Sequence, residues 1–208
     1  SVRPLLFLLD QYERVGVLVA DRAHARIFTL FLGELEHVVR RSADIHPRHH
    51  QGGWKHMLFQ RDVDGHVKSH IRGTVREAGR LFRQCPLQRL VLGGSNETLG
   101  SLQRELPDEL RGRVVGTFHI GTHASDGDIV AHSLSLAQAA EHAEEEQRVR
   151  ELVETLARST DSRWGRGAPR AVQGIEHTLR ALSEQRVRRL LLQRGFRTPG
   201  ALCDNCGM

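Results

Sequence analysis

The sequence predicts an α/β fold: a mixed sheet flanked by helices, followed by a partial second α/β unit. Three observations predict it. Short apolar segments separated by tight turns follow one another between residues 14 and 42, the pattern of an antiparallel meander. A long amphipathic helix comes next, and strand and helix patterns then alternate to Gly121, as right-handed crossovers on a mixed sheet require.

The elements read as follows. "RVGVLVAD" is a short apolar run ending in Asp21 and reads as a buried strand. "HARIFTLFL" follows a tight corner, and a turn at Gly33 leads into "ELEHVVRRS". A loop spans roughly residues 43–60. A helix from Arg61 onward carries Val63, Val67, Ile71, Val75, Ala78 and Phe82 as one apolar stripe. Lys68, Arg72, Arg76 and Arg80 step by four on another face of it. "LQRLVLGG" is a strand ending in a glycine turn, and Ser95 suits the cap of the helix after it. "RVVGTFHIG" is a further strand. Asp126 or Asp128 opens a long helix reaching about Arg158, acidic along its middle. Residues 159–170 read as a linker, "AVQGIEHTLRAL" as an amphipathic helix, and "RVRRLLLQRGF" as a turn and strand.

These readings divide the chain into a domain over 10–158, a linker over 159–170 and a second unit over 171–208. The second unit is too short to close its own core. Of the 208 residues, 39% are apolar and 26% charged, which allows a buried core and excludes wholesale disorder. No apolar run approaches the ~20 residues of a membrane helix. The opening "SVRPLLFLLD" is too short and poorly flanked for a signal peptide. A soluble, cytoplasmic protein is expected.

Charge is concentrated. Between residues 46 and 83 there are eight Lys/Arg and three acids, a surplus of +5 that equals the net charge of the chain. Six histidines lie in the same window. Local basicity of this kind is the footprint of nucleic-acid contact, and also of a solvated arginine-rich surface. Inside it lies "HHQGGWKHMLFQR". Adjacent glycines reach backbone conformations closed to other residues and expose amides that can donate to an oxyanion or phosphate. Arg48, Lys55 and Arg61 flank them, and Trp54 can stack on a base.

Other chemistries have weaker support. His46, His49 and His50 are dense, but adjacent histidines in a loop more often lack a metal. Cys85 stands alone, and Cys203 and Cys206 form half of a zinc-knuckle pattern that would need a second pair elsewhere. No cofactor is expected, zinc in a longer native chain excepted. Asp21, Asp62, Asp64, Asp126 and Asp128 suit a two-metal nuclease or, more simply, helix capping. Neither a nucleophile elbow nor a Walker or dinucleotide glycine spacing is present.

The order "VGVLVADRAHARIFTLFLGELEHV", a glycine-containing basic loop, a long basic helix and "RLVLGG" resembles the middle domain of archaeal and eukaryotic class-one peptide-chain release factors, the Pelota-related superfamily. It is more similar still to the bacterial and archaeal release-factor-like branch. "GIEHTLRALSEQRVRRLLLQRGF" before "CDNCG" resembles the start of that family's third domain. The resemblance implies a ribonuclease-H-like middle domain without its nuclease site. It also implies a third domain like kink-turn-binding ribosomal proteins, and a codon-reading domain ahead of Ser1.

The implied partners are the ribosome and peptidyl-tRNA, with a GTPase partner left open. A Gly-Gly-Gln loop in that family enters the peptidyl-transferase centre and promotes water attack on the peptidyl-tRNA ester. Gly52 and Gly53 match that motif; Trp54 stands where its glutamine should be. In relatives reading Gly-Gly-Trp-x-Gln the glutamine falls two places later, where this chain has His56. The resemblance therefore assigns catalysis to Gly52, Gly53 and His56. It assigns tRNA or ribosome binding to Arg48, Trp54, Lys55, Arg61, Lys68, Arg72 and Arg76. The alternative is a ribosome- or RNA-binding module that has lost hydrolysis.

Overall fold

β1 (Val15–Ala20) is buried at every position. Its side chains alternate: Val15, Val17 and Val19 serve one face of the sheet, Leu18 and Ala20 the other, as the period of two requires. A strand covered on both faces reads as a continuous apolar run, which is why "VGVLVA" carries so clear a signal. The computed structural model describes residues 13–43, 55–121, 124–160, 171–193 and 195–199, with the backbone path alone for 55–64 and 159–160.

β2 (His24–Phe31) pairs antiparallel with β1, and β3 (Glu34–Ser42) antiparallel with β2. Leu32 and Gly33 turn the second hairpin, both at positive φ, 60° and 80°, the signature of a type I′ turn. β4 (Arg89–Gly94) lies parallel to β1 on its other side, and β5 (Val114–Phe118) parallel to β4. The strand order is β3-β2-β1-β4-β5. The sheet is therefore mixed, a meander on one side and two crossovers on the other, as the sequence predicts. Gly94 closes β4 at φ 149°, where a Cβ would lie 2.4 Å from the Ala20 carbonyl oxygen. Only glycine lets β4 run that close to β1 at this point.

α1 (Lys55–Gln84) joins β3 to β4; α2 (Asn96–Glu105) and the short α3 (Asp108–Arg111) join β4 to β5. Ile71, Val75, Ala78 and Phe82 of α1 pack with Leu99, Leu102, Leu106 and Leu110 against Leu18, Ile27, Leu90 and Leu92. Four of the six stripe positions are thus buried, and Val67 is partly buried against them. On the opposite face α4 (Asp126–Thr160) brings Ile129 and Ala137 to Val17, Phe28, Val91 and Phe118. Each fully buried Leu, Ile or Phe contributes about 1.5–3 kcal/mol, so both layers draw on the hydrophobic effect.

The Ser95 cap forms where the sequence places it, and the helix from Asp126 is capped one residue earlier, at Ser125. The Ser95 hydroxyl accepts from the Thr98 amide at 3.3 Å. At α4, the Asp128 amide donates to Ser125 Oγ at 3.1 Å and the Ser125 amide donates to Asp128 Oδ2 at 3.2 Å, a reciprocal capping box. These bonds from Ser125 hold the Asp128 carboxyl below its ordinary pKa.

Two expectations are corrected. α1 starts at Lys55, not Arg61. "KHMLFQ" holds neither glycine nor proline and is rich in residues that favour helix, so the helix extends back through it. Lys55, His56 and Arg61 therefore belong to the helix backbone rather than to a loop. The strand expected in "RVRRLLLQRGF" does not form among its described residues. A lone strand leaves its backbone groups unpaired, and three leucines in a row do not provide a partner.

The chain falls into two compact units, Ser1–His142 and Ala143–Met208. The second contains the end of α4, α5 (Ile175–Ser183) and a segment without regular structure. None of its described residues is buried.

Candidate functional site

α1 carries most of the candidate residues. Its inner face is fixed by the sheet, so the residues between the buried ones must face outward. Lys68, Arg72, Arg76 and Arg80 are all exposed. They are not equivalent. Arg72 Nε donates to Glu105 Oε2 at 2.9 Å, and Arg80 pairs with Glu77 at 3.3 Å. Lys68 and Arg76 make no hydrogen bond or ion pair with another described residue. The free cations of the stripe are therefore Lys68 and Arg76. Arg41, near the end of β3, lays its guanidinium over α1 at Gly73, where a Cβ would lie 2.5 Å from Nη2. It adds a positive charge to the helix face from a residue 32 positions away in sequence, beyond the reach of any local pattern.

In sequence, Gly52 and Gly53 lie between β3 and α1. Arg48, Gly52, Gly53 and Trp54 lie outside the described residues, as do Cys203 and Cys206. Lys55, His56 and Arg61 are placed by backbone only, in the first turns of α1.

Beneath this face His70 is buried, 3% exposed, and neither ring nitrogen has a hydrogen-bond partner. Burial pushes its pKa below the ordinary histidine value; a weak contact with the His24 backbone opposes that shift, and the Arg41 charge adds to it. A neutral imidazole is therefore held under the basic surface.

Three carboxylates of the nuclease reading, Asp21, Asp126 and Asp128, have structural roles; the side chains of Asp62 and Asp64 lie outside the described residues. Asp21 Oδ1 accepts from the amides of Ala23 and His24, at 2.7 and 2.6 Å, and so closes the β1–β2 corner. Asp126 pairs with Arg26 and Arg40, and Asp128 caps α4. Among the described residues no metal-competent group includes any of them.

Sequence reasoning missed one cluster. Glu36, His37 and Cys85 bring their ligand atoms within 4.8 Å of one another. In β3 the register shifts so that Thr29 faces His37 while Leu30 faces Leu35, leaving Glu36 without a partner. Such a bulge re-aims side chains that a regular strand would send to opposite faces. Arg14 forks onto both Glu36 oxygens, at 2.7 and 3.0 Å, and lies 4.7 Å above the Phe31 ring. That hydrogen bond, with Arg14's charge, holds the Glu36 carboxyl below its usual range and raises Arg14. Because 48 residues separate His37 from Cys85, no local sequence signal could have shown the cluster.

The second unit holds an open groove of about 690 Å³, lined by Arg148, Glu151 and Leu152 of α4 and by His177, Ala181 and Leu190 among others. Its mixed lining presents no convergent polar set.

The profile of bacterial archaeo-eukaryotic release factor family 10 matches residues 1–141. The chain belongs to that family, and so to the release-factor-like superfamily its sequence resembles. No curated protein matches it. Among solved structures, an archaeal translation termination factor, aRF1, is similar at 14% identity and a TM-score of 0.49, over 77% of this chain and 46% of that one. An archaeal protein is similar at 14% and 0.46, over 88% and 49%. Pelota from Archaeoglobus fulgidus is similar at 14% and 0.44, over 76% and 44%. The chain thus spans about half the length of these structures, and likenesses at this level carry no functional argument.

Proposed function

We propose that this protein acts on peptidyl-tRNA at the ribosome, in termination or in rescue of stalled complexes, with the loop around Gly52 and Gly53 entering the peptidyl-transferase centre. Membership of a release factor family over residues 1–141 carries the reading. The position of the two glycines supports it: they fall between an edge strand and the basic helix α1. The sheet, a three-strand meander extended by two parallel strands, agrees with the ribonuclease-H-like middle domain the resemblance implies. In this reading the loop's backbone amides and His56 act at the ester. Arg48, Trp54, Lys55, Arg61, Lys68 and Arg76 hold the acceptor end of the tRNA, with Arg72 shared between RNA and Glu105.

A second reading, ribosome binding without hydrolysis, is favoured by one residue: Trp54 stands where the resemblance calls for glutamine. One experiment separates the two. Purified ribosomes carrying peptidyl-tRNA are incubated with the intact protein and with Gly53→Ala, and released peptide is counted alongside protein co-sedimenting with ribosomes. Release that falls at least about tenfold in Gly53→Ala, with sedimentation retained, supports catalysis by the loop. Co-sedimentation without release from either protein establishes the second reading. Equal release from both removes the loop from the chemistry.

A further inference from the structure

We propose that Glu36, His37 and Cys85 form a binding site for a borderline-soft divalent transition-metal ion, zinc being the best match. The proposal is independent of the function suggested above. Three donor types converge, a carboxylate oxygen, an imidazole nitrogen and a thiol sulfur, all within 4.8 Å. His37 Nδ1 lies 3.7 Å from Glu36 Oε2 and 4.0 Å from Cys85 Sγ. A tetrahedral zinc with bonds of about 2.0–2.3 Å separates its ligand atoms by roughly 3.3–3.6 Å. Contraction by a few tenths of an ångström at these two pairs would bring them to bonding geometry. The His37 side chain is half exposed and free to make that shift. Sulfur with imidazole selects zinc over magnesium or calcium, which prefer oxygen alone.

The surroundings are built for a ligand set. The β3 bulge is what puts Glu36 and His37 on one face. Buried Thr29 presents Oγ1 to His37 Nδ1 at 3.1 Å and to Glu36 Oε2 at 3.4 Å. When the ring nitrogen takes the metal, the Thr29 hydroxyl can donate to Glu36 instead. Arg14 forks onto both Glu36 oxygens and fixes the orientation of the carboxylate. A carboxylate has about four acceptor sites, so Arg14 can stay in place as an outer partner that orients the ligand. Three protein ligands leave a fourth position for water or a partner group. The metal would tie the start of β3 to the end of α1, the two elements between which Gly52 and Gly53 lie in sequence.

The test uses the full chain carrying Cys203→Ser and Cys206→Ser, which leaves Cys85 as the remaining cysteine of three. Cobalt(II) is titrated in as a spectroscopic substitute for zinc. The expected result is a thiolate-to-cobalt absorption saturating at one ion per chain and bleached by added zinc. Cys85→Ser abolishes it, and His37→Ala weakens cobalt affinity at least about tenfold. Glu36→Gln, a milder change at an exposed position, weakens it too and guards against a fold defect in the alanine variant; circular dichroism checks all three. The absence of a thiolate absorption overturns the proposal, and so does one that survives both His37→Ala and Glu36→Gln unchanged. Cobalt bound without a thiolate band, as the histidines at 46–50 would bind it, also counts against the site.

Discussion

The sheet unit and the unit that follows it share a helix, yet they are held together by different means. In the first, β1 lies between two apolar layers, and residues such as Leu92 and Phe28 are wholly buried. In the second, Leu179 and Leu192 are each more than half exposed, and no described residue is buried. What local order the second unit has must come from helix hydrogen bonds and exposed ion pairs such as Arg180–Glu184, each worth well under about 1 kcal/mol. An amphipathic sequence therefore does not make a core; a second layer facing it does.

The largest test of this contrast is a pair of identical truncations. Leu92→Ala should cost about 2–5 kcal/mol in denaturant unfolding of the sheet unit. Leu179→Ala should stay within about 0.5 kcal/mol by the same measurement. A comparable loss at Leu179 would mean that α5 is buried against something in solution.

A middle-sized effect concerns pH. His70 is a buried histidine of the sheet unit, and its folded pKa is lowered by burial. The unfolded chain then binds its proton more readily, so stability is full above the unfolded value of about 6.5 and falls as pH drops below it toward the lowered folded value. Thermal melts between pH 8 and 5 should show that fall. His70→Leu should reduce it while leaving the protein about as stable above pH 7, because the ring nitrogens have no well-formed hydrogen bond to lose. An unchanged acid limb in His70→Leu would assign the fall to other groups.

The smallest effect separates the units by charge. Arg76 is exposed and makes no pair with another described residue, whereas Arg180 is tied to Glu184. In RNA-binding titrations across salt, Arg76→Glu should reduce the slope of log affinity against log salt by about 1. Arg180→Glu should leave it unchanged. Equal changes would spread the RNA contact over both units.

What the sequence revealed follows the range of the forces involved. β1, the apolar stripe of α1 and the Ser95 cap depend on neighbours a few residues apart, and all three could be read directly. The start of α1 could not, because six helix-tolerant residues precede Arg61 without a stop signal. Nor could the run Leu190–Leu192, which looks like a strand until a sheet is needed to receive it. The candidate site divides the same way. The basic stripe was legible as a period of four. Its partial neutralisation by Glu105, and the arrival of Arg41 over Gly73, are contacts between residues about 30 apart in sequence. The cluster of Glu36, His37 and Cys85 depends on a register shift that composition does not encode.

That same shift has a consequence for how the protein behaves in a crowd. β3 is one outer strand of the sheet, exposed along most of its nine residues, and among the described residues no strand pairs with its side away from β2. Outer strands of this kind invite sheet-to-sheet joining between molecules, and bulges and charges are the usual guards. Here a bulge at Glu36 disturbs the edge, and Glu34, Arg40 and Arg41 place charges along it. This outer strand thus carries its own guard against aggregation.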